Sequence, residues 1–126
     1  MEKNPKIKSL IESLIDDGVA ATCITVDLEA GYSVQHPNYV ARVLKARSEF
    51  MTTFPVTELA AARAREVQVL MAERGLHRAA GAFDLLTAAI AEVHHATVLH
   101  YDADFEHIAS VTGQRQMWVV PRGAID

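Results

Sequence analysis

The stretch Val98-Leu99-His100-Tyr101-Asp102-Ala103-Asp104-Phe105 decides how this chain is read. Its front is β-branched and apolar and predicts a short buried strand. Two acids, Asp102 and Asp104, then stand where the next helix begins. A second stretch, Phe83-Asp84-Leu85-Leu86-Thr87-Ala88-Ala89-Ile90-Ala91, places another acid at the opening of an apolar, Ala-rich helix. In open parallel α/β sheets, ligands collect just beyond the carboxyl ends of the strands. Carboxylates gathered there are natural ligands for a hard divalent cation.

Working outward, Asn4-Pro5 predicts a helix start, with Asn as N-cap and Pro at the first helical position. Ile7, Leu10, Ile11, Leu14 and Ile15 follow the stripe of an amphipathic helix, which Gly18 stops. Residues 19–24 predict a strand, and residues 25–34 a helix carrying Asp27, Glu29 and Tyr32. His36-Pro37-Asn38 marks a turn before a helix over residues 39–50. A strand over residues 51–56 follows. Thr57-Glu58 then opens a long helix over residues 59–74, with Val67, Leu70 and Met71 as its core stripe and Gly75 as its stop. Residues 76–82 read as a basic, flexible loop containing His77, Arg78 and Gly81. The remainder predicts a helix over 84–94, a strand over 97–100, a helix over 103–111 and a strand over 116–120, ended by Pro121-Arg122-Gly123.

Strands alternating with helices predict an α/β fold, a parallel sheet flanked by helices. No repeat, low-complexity tract or linker interrupts the chain, so residues 1–126 are expected to form a single domain. One feature breaks the pattern. The chain opens on a helix and offers only four strands, whereas a βαβ array usually begins with a strand, often a central one.

Composition excludes several classes. Half the residues are hydrophobic and 22% are charged, an ordinary globular balance that argues against disorder. A net charge of −4 gives no global positive field for nucleic acid, although a local basic patch is compatible with it. The single cysteine, Cys23, cannot form an intramolecular disulfide and reads as a buried structural thiol in a reducing compartment. No run approaches the ~20 apolar residues that span a bilayer, so a cytoplasmic protein with no membrane association is expected.

Glu29, Asp84 and the Asp102/Asp104 pair each follow a strand or open a helix. Singly, Asp84, Asp102 and Asp104 read as helix caps, and Asp27 and Glu29 as solvated helix charges. Jointly, they put an acid on each connection that could end at the carboxyl edge of the sheet. Bunched carboxylates need a compensating cation, and magnesium suits them because it also accepts phosphate oxygens. The basic segment with Arg74, His77 and Arg78 precedes Asp84 and is placed to hold a phosphate backbone; the plain alternative is a solvated loop. His94 and His95 are adjacent and cannot chelate as an i, i+4 pair, and no His/Cys spacing matches zinc. No G-x-S-x-G elbow or Gly-rich phosphate loop is present.

These residues together resemble a known family. Asp84-Leu-Leu-Thr-Ala-Ala-Ile-Ala-Glu resembles the third-acid helix of PIN domains, especially the VapC toxins of bacterial VapBC toxin–antitoxin pairs. Residues 97–109, with Asp102 and Asp104, resemble the family's strand and fourth-acid loop. Val26-Asp27-Leu28-Glu29 resembles the segment supplying the second acid, with Glu29 at the matching position. His77-Arg78 and Trp118-Val119-Val120-Pro121-Arg122-Gly123 resemble a mycobacterial and actinobacterial branch of these toxins.

The resemblance implies a PIN-like three-layer α/β/α fold with a parallel sheet. It implies a toxin that is a Mg2+- or Mn2+-dependent endoribonuclease, cleaving RNA phosphodiester bonds. Glu29, Asp84 and Asp102 would be its catalytic and metal-site acids, Asp104 a further metal ligand, and Arg74, His77 and Arg78 the RNA contacts. A VapB-type antitoxin and a second copy of the chain, as a homodimer, are the implied partners. The family also begins with a strand ending in an Asp, and Met1 falls where its first helix is about to begin. Either a strand carrying the first acid lies upstream of the chain, which is the expectation, or the protein lacks that strand and that acid. The alternatives are a non-catalytic PIN-like module that binds antitoxin or RNA, and a plain acidic α/β scaffold whose carboxylates are caps.

Overall fold

The computed structural model describes residues 5–120. Asn4 as N-cap and the chain end at Pro121-Arg122-Gly123 lie outside the described residues. The chain's internal contacts divide it into two compact units, residues 1–55 and 56–126.

The first unit contains α1 (Pro5–Asp16), β1 (Ala21–Cys23), α2 (Ile24–Ser33), a 3-10 turn (Pro37–Tyr39), α3 (Val40–Phe50) and β2 (Thr52–Phe54). β1 and β2 pair in parallel, with Ala21 opposite Thr52 and Cys23 opposite Phe54. A parallel pair needs a long crossover, and α2, the turn and α3 supply it. Cys23 is buried, as its apolar neighbourhood predicted. Asp27 differs from the solvated charge read in the sequence: its Oδ1 accepts from Arg47 Nε at 2.8 Å and from the Thr22 hydroxyl at 2.7 Å. Arg47 also donates to Thr22 Oγ1 at 2.9 Å, so three polar groups tie α3 to α2 and β1.

The second unit contains α4 (Glu58–Glu73), α5 (Ala82–Val93), β3 (Val98–His100), α6 (Asp104–Thr112) and β4 (Gln116–Trp118). β3 and β4 pair in parallel, Val98 opposite Gln116 and His100 opposite Trp118, with α6 as the crossover. Thus the four strands predicted from the sequence all form and all pair in parallel, but as two two-stranded sheets. Each is three residues long, shorter than the sequence suggested.

The second unit holds the main buried cluster. Val67 and Met71 of α4 meet Leu85 and Ala88 of α5, Val98 of β3, and Phe105 and Ile108 of α6. Thr57 caps α4, its hydroxyl accepting from Ala60 N at 3.1 Å. At the other end Gly75, at φ +71, carries the chain out of the helix. The Leu76 amide then bonds back to Met71 O at 2.7 Å, and Gly75 N to Ala72 O at 2.9 Å. This is a Schellman turn, and its left-handed residue is one glycine adopts without steric cost. Leu76 and Ala79 pack on the core, and Ala80 is buried within it. The segment between α4 and α5 is therefore a pinned turn, not the flexible loop its composition suggested.

Candidate metal centre

β3 runs into the site and α5 and α6 begin at it. One ligand atom from each of Asp84, Asp102 and Asp104 lies within 4.8 Å of the others. Asp84 and Asp104 are half-buried and Asp102 is exposed.

Asp84 is not the N-cap of α5. Gly81 takes that position, and Asp84 sits in the first helical turn, where a carboxylate meets the positive end of the helix dipole. Asp104 likewise lies in the first turn of α6. Asp102 realises the capping geometry in part: its Oδ1 accepts from the Asp104 amide at 2.9 Å, and its carbonyl accepts from Phe105 N at 3.2 Å. Capping and clustering therefore coexist, because one carboxylate oxygen orders the turn that brings Asp104 beside it.

The donor set is chemically suited to a divalent cation. Three carboxylates supply oxygen only, which favours a hard ion over zinc or copper. Their mutual repulsion, about 1 kcal/mol per pair even in a water-like dielectric, is what a cation relieves.

His100 stands behind the acids. It is 7% exposed, and its ring packs 5.0 Å from Phe105 and 4.9 Å from Trp118 between centroids. Its Nδ1 accepts the Asp102 amide at 3.0 Å, and its Nε2 meets Gln116 Oε1. No histidine spacing in the sequence singled it out.

Glu29 is exposed on α2 of the first unit and is not among the three clustered acids. Arg74, His77 and Arg78 are all exposed. Arg74 donates to the Ser110 carbonyl at 2.9 Å, near the C-terminal end of α6, where a cation complements the helix dipole. His94 Nδ1 lies 2.9 Å from Ile90 O, a hydrogen bond within its own helix turn. Among the described residues, no helix is long and apolar enough to cross a membrane.

Known proteins resemble this chain along most of its length. The family model "PIN domain" matches residues 2–111. Ribonuclease VapC51 of Mycobacterium tuberculosis is 40% identical over 125 residues, covering 97% of this chain and 88% of that protein. Ribonuclease VapC21 of the same species is 34% identical over 119 residues, covering 94% of this chain and 86% of its own length. Among solved structures, a chain of VapBC2 from Rickettsia felis bound to a DNA fragment from their promoter superposes with a TM-score of 0.70. That match spans 88% of this chain and 83% of the other at 17% identity, a likeness of fold. A family model spanning most of the sequence and relatives alike along nearly its whole length lead to one assignment: the chain belongs to the PIN-domain family.

Proposed function

We propose that this protein is the ribonuclease toxin of a type II toxin–antitoxin pair, a divalent-metal-dependent endoribonuclease of VapC type acting in the cytoplasm. The observation that carries the reading is the convergence of Asp84, Asp102 and Asp104 within 4.8 Å, in a chain whose relatives are named ribonucleases. These three acids would hold Mg2+ or Mn2+. When bound, the ion supplies positive charge for phosphate oxygens and acidifies water. Asp102 has a second task, ordering the turn before α6 through its Oδ1. Asp84 and Asp102 are proposed as catalytic acids. Glu29 joins them on the resemblance of its segment alone, and Glu29→Gln tests it separately.

Arg74, His77 and Arg78 are proposed as RNA contacts. They are exposed and carry donors for phosphate, which would give affinity without sequence selectivity. The partner proposed for the acidic cluster is a VapB-type antitoxin presenting an arginine, since a guanidinium complements paired carboxylates. A homodimer is the proposed assembly.

The test is cleavage of a structured RNA with Mg2+, with Mn2+ and with EDTA, using Asp84→Asn as the blank. Metal-dependent cleavage lost in the blank supports the reading. Metal-dependent RNA binding without cleavage would replace it by the non-catalytic module. Neither binding nor cleavage would leave an acidic scaffold.

A further inference from the structure

The His100 ring is more constrained than packing requires. A backbone amide can only donate, so the Asp102 N–H at 3.0 Å obliges Nδ1 to accept. A neutral ring then carries its proton on Nε2, which faces Gln116. This fixes the Gln116 amide as well: its oxygen, not its nitrogen, must point at the ring. The direction of both side chains follows from one unambiguous donor. The β3–β4 pairing makes the contact possible, because Gln116 and Trp118 lie on the strand that flanks His100. The His100 carbonyl is held too, accepting from Val119 N at 2.7 Å.

What this holds still is Asp102. Its amide is fixed by His100, its carbonyl by Phe105 N and its Oδ1 by Asp104 N. A simple core histidine would need only its two ring nitrogens satisfied. Here one of the partners is the backbone of an acid in the cluster. We propose that His100 is a positioning residue for the metal centre: its Nδ1 sets the backbone from which Asp102 reaches the cation, and Gln116 accepts the Nε2 proton that this leaves. This rests on the metal reading given above.

Partners that orient metal ligands typically contribute about 10–100-fold to metal affinity. His100→Phe keeps a ring between Phe105 and Trp118 but removes the acceptor for Asp102. His100→Asn places an amide oxygen where Nδ1 stood and restores it. Mn2+ affinity is read by loss of the free-ion EPR signal, beside a thermal melt of each metal-free variant. The expected result is about tenfold weaker Mn2+ binding in His100→Phe, with His100→Asn within about threefold of the parent. Long-range 1H–15N correlation of the parent's His100 ring should show a protonated Nε2 and an acceptor Nδ1.

Three outcomes overturn the proposal alone while the parent binds Mn2+. They are equal affinity in His100→Phe, an equal loss in both variants, and a protonated Nδ1. A parent that takes up no Mn2+ overturns the metal reading itself, and this proposal with it.

Discussion

Replacing Asp84 by Asn should raise the stability of the metal-free protein and lower that of the metal-loaded one. The inversion follows from the geometry. Asp84 faces two other carboxylates with ligand atoms within 4.8 Å. At that separation each pair repels by about 1 kcal/mol in a water-like dielectric and about 3 at an effective value of 20. Asp102 is exposed and the other two half-buried, which keeps the cost near the lower limit, about 2 kcal/mol for both pairs together. Against this, Asp84 lies in the first turn of α5, and a charge there gains about 0.5 kcal/mol from the helix dipole. Asn keeps the shape and an oxygen that can accept a hydrogen bond, and gives up both of these charge effects. These two charge effects leave a net gain without metal of about 1.5 kcal/mol, or roughly 5–7 °C for a chain of this size.

With Mn2+ at a hundred times its Kd, the parent should gain about 2.7 kcal/mol by mass action, while the variant, short of one ligand, gains far less. Melting both proteins at low ionic strength, in EDTA and then in Mn2+, reads all four values. Low salt matters because screening at 1 M ionic strength acts over about 3 Å and would erase the repulsion. An Asn variant that melts below the parent in EDTA, together with equal shifts of both by Mn2+, would refute the idea that these acids form a cation site.

Two further predictions test the scaffold. Ile108→Ala empties a position 1% exposed in the main buried cluster and should cost about 2–5 kcal/mol, read as a lower urea midpoint with unchanged m-value. His95→Gly should stabilise by about 0.5–1 kcal/mol in the same titration, because His95 holds φ +57 at the end of α5, a conformation that burdens a side chain with a β-carbon.

The second prediction shows where sequence reasoning was sound and where it stopped. Gly18 and Gly75 were legible as helix stops because glycine is the residue that enters the left-handed region without strain. His95 does the same task after α5: Ala96 N bonds back to Ala91 O at 2.9 Å and His95 N to Glu92 O at 3.1 Å. No glycine announces this turn, so the helix end was placed only by the fading of the apolar run. The helices were legible because each is longer than two turns, and α1, α3 and α4 carry an apolar stripe of their own. The strands were legible in number and direction but not in length. Three residues of β1 or β3 hold too little pattern to locate an end, and the ends are set by hydrogen bonds to another strand. The Arg47–Asp27 pair was invisible too, since its partners stand twenty residues apart on two different helices.

The candidate site divides along that line. Asp84, Asp102 and Asp104 could be picked out because each borders an apolar run, Asp84 and Asp104 in the first turn of a helix and Asp102 just after β3, so their neighbourhood did not depend on an exact boundary. The cap reading and the ligand reading were not exclusive, as Asp102 shows by using one oxygen to order its own turn. Glu29 rests on the likeness of a short segment, so its role waits on its own variant. His100 and Gln116 lay beyond reach. A histidine inside an apolar strand looks the same whether it fills space or aims a neighbour. What separates the two is the atom that each ring nitrogen meets, and for Nε2 that atom lies sixteen residues away on β4. The three acids are legible locally in the chain, whereas the contact between His100 and Gln116 forms only across the pairing of β3 with β4.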